Sequence, residues 1–287
     1  MDKRPAWLKK KISPDNKNIK ATKNLIDSSR LHTVCQSAKC PNIYECFSKR
    51  TAAFMLMGNI CTRNCGFCGV ESGRPLKLDE EEPKKIASAA KEMELRYVII
   101  TSVTRDDLDD GGASCFAETV RAIKKLNPGT RVECLIPDFG GNKESLEVLL
   151  SEDVDVLNHN IETVRANYGK VRSGADYERS LVLLRQTKEI RPDIHTKSGL
   201  IVGLGENREQ IVELLEDLKK SKVDIVTIGQ YLSPSKDNIE VSKYYTPEEF
   251  GEIEESAKMI GFKAVAAGPF IRSSYEAEPL LDKALGN

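Results

Sequence analysis

The stretch Ala53-Phe54-Met55-Leu56-Met57-Gly58-Asn59-Ile60-Cys61-Thr62-Arg63-Asn64-Cys65-Gly66-Phe67-Cys68 joins a short apolar run to three cysteines spaced C-x3-C-x2-C. The run reads as a strand buried on both faces, and the cysteines follow it directly. From there on, strand-like and helix-like segments alternate. Strands are expected over 53–59, 97–103, 131–136, 154–158, 195–202, 225–230 and 263–267. Apolar spacing near 3.6 predicts helices over 83–93, 113–126, 143–152, 177–190, 208–220 and 247–260. Two starts are well marked: Asn207 ahead of Arg208-Glu209-Gln210, and Thr246-Pro247-Glu248-Glu249 with proline in the first turn. Such alternation implies parallel βαβ units. No G-x-G-x-x-G follows the first strand, and Gly203-Leu204-Gly205 offers only a lone G-x-G. The expected fold is therefore α/β, a partial (β/α)6 TIM-type barrel over 51–268, with an N-terminal extension, 1–50, and a C-terminal one, 269–287. Active sites of such barrels form at the C-terminal ends of the strands, where the cysteine loop sits.

A second triplet, Cys35, Cys40 and Cys46, is spaced C-x4-C-x5-C, so six of the eight cysteines fall within 34 residues. A disulfide framework suits short secreted chains. This chain has 287 residues, and its start, MDKRPAWLKKKI, lacks the apolar run of a signal peptide. A structural zinc usually closes with four ligands, and His32, His159 and His195 are scattered. Three thiolates on a four-iron cluster leave one iron without a protein cysteine, so the iron–sulfur reading is favoured for both triplets. Cys115 and Cys134 read as buried small hydrophobes.

Composition sets further bounds. Apolar residues make up 40% and charged residues 30%, and 43 basic side chains nearly cancel 44 acidic ones, so no nucleic-acid role is suggested. Mean hydropathy is −0.39 and no long apolar segment occurs, so no membrane span is expected. Residues 1–50 hold 12 basic and 4 acidic side chains. That arm reads either as a solvated surface or as a docking face for an acidic macromolecule.

The loop Gly58–Cys68, with Phe67 just before its last cysteine, resembles that of the radical S-adenosylmethionine (SAM) superfamily. The upstream triplet narrows the resemblance to the lipoyl synthases. So do Pro5-Ala6-Trp7-Leu8-Lys9, Thr101-Ser102-Val103-Thr104-Arg105-Asp106-Asp107-Leu108, Asn158-His159-Asn160-Ile161-Glu162-Thr163, Gly229-Gln230-Tyr231-Leu232 and Arg272-Ser273-Ser274-Tyr275. The resemblance implies insertion of two sulfur atoms, at C6 and C8 of an octanoyl chain in amide linkage to a carrier-protein lysine. It implies two [4Fe-4S] clusters and two SAM molecules per lipoyl group. Cys61, Cys65 and Cys68 would hold the cluster that SAM chelates, from which a 5′-deoxyadenosyl radical is released. Cys35, Cys40 and Cys46 would hold an auxiliary cluster consumed as the sulfur source, with Ser274 as its fourth ligand. An alkoxide is a harder donor than a thiolate and easier to displace from iron.

Thr101, Ser102, Asn160 and Glu162, at or just beyond strand ends, are candidates for hydrogen bonding to SAM, or else satisfy local backbone. Arg172 suits a carboxylate, or else a surface position. The four aspartates Asp106, Asp107, Asp109 and Asp110 read as a cation site or as a loop and helix start. The implied partners are octanoylated lipoyl carriers (glycine-cleavage H protein and the lipoyl domains of 2-oxo-acid dehydrogenases), an electron donor such as flavodoxin or ferredoxin, and an iron–sulfur carrier that rebuilds the cluster. A cytoplasmic monomer is expected. The rivals are a biotin synthase and a zinc-stabilised binding protein.

Overall fold

The computed structural model describes residues 4–10 and 16–286. The ends of the expected extensions at 1–3 and 287, and the basic Lys3 and Lys11, lie outside them. The N-terminal extension contributes α1 (Lys17–Ser28), the short strand β1 (His32–Thr33), α2 (Val34–Ser37) and α3 (Ile43–Ser48). Strand β2 (Ala53–Leu56) follows, then two short strands, β3 (Ile60–Cys61) and β4 (Glu71–Ser72), paired with each other. Next come α4 (Glu82–Glu92), β5 (Tyr97–Ser102), α5 (Ala113–Leu126), β6 (Arg131–Leu135), α6 (Lys143–Leu150) and β7 (Val156–Asn158). The remainder runs α7 (Tyr168–Val171), α8 (Tyr177–Ile190), β8 (His195–Val202), α9 (Arg208–Lys220), β9 (Ile225–Gln230), α10 (Pro247–Ile260), β10 (Ala264–Gly268) and α11 (Ala277–Leu285).

One sheet runs in the order β1-β2-β5-β6-β7-β8-β9-β10. Every pair from β2 to β10 is parallel, and β1 adds antiparallel to β2. The ends, β1 and β10, are not paired with each other among the described residues, so the barrel is open on that side. The expectation of a partial α/β barrel holds, with seven parallel strands and six crossovers. Alternation produced this for a physical reason. The strands are buried almost throughout, so each must be covered by helices on its outer side, and amphipathic α4–α6 and α8–α10 provide that cover. Both marked helix starts form capping boxes, Asn207 with Gln210 and Thr246 with Glu249. Strand β2 stops three residues earlier than expected because Met57 (φ 66°) and Gly58 (φ 87°) turn into the left-handed region.

The barrel interior is filled on one level by charge rather than by aliphatic side chains. Glu133 and Lys197, 0% and 1% exposed, form an ion pair at 3.0 Å. Tyr97 Oη and Asn158 Nδ2 donate to the same carboxylate at 2.6 and 2.8 Å. Each oxygen therefore has two donors, which is what makes a buried charge tolerable. In-register parallel pairing (Leu56 with Ser102, Asn158 with Leu135 and Lys197) brings the C-terminal ends of the strands to one rim.

Candidate active site

At that rim lies a cavity of about 730 Å³, and all six cysteines of the two triplets line it. So do Thr101, Ser102, Asn160, Glu162, Arg172 and Ser274. The structure thus brings together every site residue expected from sequence. Cys134 is fully buried on β6 and Cys115 sits on α5, neither of them on the cavity.

The C-x3-C-x2-C loop is held from several directions. Thr62 N donates to Thr104 O at 3.0 Å, and Gly66 N donates to Val171 O at 3.0 Å. Asn238 Nδ2 donates to Cys68 O at 2.9 Å. Gly66, whose φ is not positive, matters for space: a Cβ there would stand 2.7 Å from Ile239 Cδ1. The main restraint was not legible in sequence. Arg63, inside the loop, forks onto two carboxylates. Its Nε and Nη2 donate to Asp106 at 2.8 and 2.7 Å, and its Nη1 and Nη2 donate to Asp138 at 3.0 and 2.8 Å. Arg179 Nε completes Asp138 at 2.9 Å. Burial pushes Asp138 up, but the bonds and charge of Arg63 outweigh it and hold the carboxyl at about 2. Three of the four aspartates are engaged: Asp106 pairs with Arg63, Asp107 pairs with Arg105, and Asp110 accepts from Gly112 N and Ser114 N at the start of α5. Among the described residues the group does not converge on a cation site.

Of the seven buried polar side-chain atoms that lack a partner among the described residues, three belong to residues on the cavity: Ser102 Oγ, Asn160 Oδ1 and Arg172 Nε. Such orphans are rare in folded chains. Together they present a hydroxyl, an acceptor and a cationic donor, which complement a zwitterionic amino-acid head group. Glu162 adds a carboxylate on a strained left-handed backbone (φ 66°), and burial pushes its pKa up. Arg172 is not a surface residue. Its Nη1 donates to Asn160 O at 2.9 Å and to Tyr168 Oη at 2.6 Å. His159 is held as a structural residue: Nδ1 donates to Ile136 O at 2.9 Å and Nε2 accepts from Ser180 Oγ at 3.0 Å. Burial, then the charge of Arg172, lowers it to about 4.

The upstream triplet sits where the two chain extensions meet. Asn42 Nδ2 donates to Phe270 O at 2.7 Å, and Tyr275 Oη donates to Glu45 Oε1 at 2.7 Å. Lys10 Nζ bonds Asn42 Oδ1 at 2.6 Å and Glu45 Oε2 at 2.7 Å. Residues of both ends thus hold the segment bearing Ser274 against α3, which carries Cys46. Burial pushes the thiols up, Cys35 and Cys68 to about 12 and Cys46 to about 11. Such thiols ionise when a metal replaces the proton. Among the described residues, no three His, Cys, Asp or Glu side chains converge closely enough to hold a single metal ion. Each triplet brings three thiols to the cavity, the donor type that holds four-iron clusters.

The family model described as the radical SAM superfamily matches residues 55–218. A lipoyl synthase of Caldanaerobacter subterraneus is 53% identical over 284 residues, 99% of both chains. One of Symbiobacterium thermophilum is 52% identical, over 97% of this chain and 87% of its own. Among solved structures, HydG, a maturase of the [FeFe]-hydrogenase, superposes with a TM-score of 0.60 at 14% identity, covering 86% of this chain and 62% of that one. Coproporphyrinogen III oxidase (HemN) of Escherichia coli gives 0.53 at 15%, covering 71% and 51%. This chain spans about half to two thirds of those two solved chains, and the likeness carries the fold alone. Full-length identity to curated relatives carries more: the chain belongs to the lipoyl synthases, enzymes of the radical SAM superfamily.

Proposed function

We propose that this chain completes lipoyl groups by inserting sulfur at C6 and C8 of an octanoyl-lysine on a carrier protein. One observation carries the proposal: two separate cysteine triplets open into a single cavity, which the Arg272–Tyr275 segment also lines. When bound, a four-iron cluster with SAM at Cys61, Cys65 and Cys68 supplies hydrogen abstraction, and a second cluster at Cys35, Cys40, Cys46 and Ser274 supplies sulfur. The chain's own work is placement. Arg172 and Asn160 offer unmet bonds to the carboxylate and ammonium of SAM, with Glu162, Ser102 and Thr101 around the rest of the molecule. Met55, Phe67, Val103, Leu135, Ile201 and Leu232 give the cavity apolar wall for an eight-carbon chain. Closure of that wall keeps water and stray hydrogen donors away from a reactive carbon.

The functional division follows the chain: 1–50 for the sulfur-donating site, 51–268 for the radical-generating barrel, and 269–287 for the segment that supplies Ser274. The basic N-terminal arm is the docking face for an acidic carrier, the H protein or a lipoyl domain. Flavodoxin or ferredoxin supplies electrons, and an iron–sulfur carrier restores the consumed cluster, all within the cytoplasm. No helix among the described residues is long and apolar enough to cross a membrane. The test is an anaerobic turnover with SAM, reductant and an octanoylated peptide, read by mass. The expected products are 5′-deoxyadenosine and dithiolated peptide, with about eight irons per loaded chain. Zinc without iron, or 5′-deoxyadenosine with no sulfur on the peptide, refutes the reading.

A further inference from the structure

Unlike Arg172, which bonds Asn160 O and Tyr168 Oη, Arg272 has a guanidinium that reaches no group beyond its own neighbour. Among the described residues it makes no ion pair, and its one side-chain hydrogen bond runs from Nη1 to Ile271 O at 2.6 Å. It lines the same cavity as Glu162 and the six cysteines of the two triplets. The approach is built into the backbone. A Cβ at Gly229 would collide with Ile271 O and stand 3.1 Å from Arg272 Nη1, so glycine at the end of β9 lets the segment lie flat across the rim. The next residue, Ser273, accepts from Asn160 Nδ2 at 3.2 Å, which fixes the segment to the SAM side as well.

An unpaired cation enclosed by protein is costly unless a ligand supplies the anion. A four-iron cluster on three thiolates and a serine is such an anion. We propose that Arg272 is the counter-ion of the upstream cysteine site, a positioning residue whose free N–H groups bond the cluster held by Cys35, Cys40 and Cys46. This rests on the two-cluster reading above. It gives the arginine of Arg272-Ser273-Ser274-Tyr275 a role separate from that of the serine ligand: the cation holds the auxiliary cluster's charge, and Ser274 can leave without that hold being lost.

The test compares Arg272→Met and Arg272→Lys with the parent chain, without clusters and loaded anaerobically. Iron release is read in a background carrying Cys61→Ala, Cys65→Ala and Cys68→Ala, so that only the upstream site holds iron. Without clusters, Arg272→Met should melt at or above the parent temperature, because an unpaired charge has been removed. Loaded, it should lose iron to a ferrous chelator about tenfold faster, the scale of one hydrogen bond to a charged group. Arg272→Lys, which keeps the charge but not the fork, should fall between. Equal release rates, or a lower melting temperature of the cluster-free Arg272→Met chain, overturn the proposal, the latter by making the arginine a structural brace. A background that takes up no iron defeats the two-cluster reading and this inference with it. A loaded background indifferent to position 272 defeats this inference alone.

Discussion

Removing Arg63 tests whether the radical-site loop is held by its own charged clamp or merely by being attached to β2. The two halves of the clamp differ in worth. Asp106 is 43% exposed, so its pairing contributes about 0–1 kcal/mol after solvent screening. Asp138 is 0% exposed and loses two charge-assisted bonds, each worth about 1.5–3 kcal/mol, if Arg63 goes. Stranding a buried charge costs about 3–5 kcal/mol, but Arg179 remains at 2.9 Å and recovers part of that. Arg63→Ala should therefore cost about 2–4 kcal/mol in urea unfolding at neutral pH. Arg63→Lys, able to reach one carboxylate, should cost about half as much.

Acid titration checks the same number independently. Asp138 sits at about 2 in the fold and an unfolded carboxyl near 4. A carboxylate lowered in the folded state stabilises above its unfolded value, and the contribution is lost as pH falls through the folded one. The window is thus pH 4 down to pH 2, and linkage gives about 2.5 kcal/mol. Arg63→Ala should flatten the parent's loss of stability across that window. In a double-mutant cycle with Asp138→Asn the coupling should exceed about 1 kcal/mol. A coupling near zero, or an unchanged acid profile in Arg63→Ala, refutes the clamp.

Three further outcomes follow from the geometry. Lys197→Met strands Glu133 in the barrel and should cost about 3–5 kcal/mol in urea unfolding, whereas Lys197→Met with Glu133→Gln should recover at least half of it. His159 is held at about 4 in the fold against about 6.5 unfolded, so falling pH loads the unfolded chain with a proton first. Stability should drop by up to about 3 kcal/mol between pH 6.5 and pH 4, and His159→Gln should remove that slope from a pH series of unfolding curves. Gly229→Ala should displace the segment at Ile271, costing about 1–3 kcal/mol by overpacking. It should also speed protease cleavage within 269–286, and equal cleavage rates would argue against the close approach.

The sequence was most legible where one local rule decided the outcome. Helices Ala113–Leu126, Tyr177–Ile190, Arg208–Lys220 and Pro247–Ile260 have the expected bounds, since apolar spacing and caps act within a few residues. The cysteines were legible because thiol spacing is itself a local code. Arg63 was not, although it lies between Cys61 and Cys65, because its partner Asp138 is 75 residues away and nothing local links them. The same holds for Tyr275 and Glu45, 230 positions apart, and for Glu133 and Lys197, 64 apart. Such pairs exist only once the barrel has brought its rim together.

The four residues Arg272-Ser273-Ser274-Tyr275 are best understood through what they connect. Ser273 bonds Asn160, Tyr275 bonds Glu45 beside Cys46, and Arg272 lines the cavity with both cysteine sets. On the function proposed above, an eight-carbon chain would take sulfur at two positions, and the two sites would have to keep their separation while one of them is consumed. A link anchored on both sides, and not made solely through a displaceable serine, would meet that requirement. The bonds of this segment to Asn160 and Glu45 are anchors of that kind.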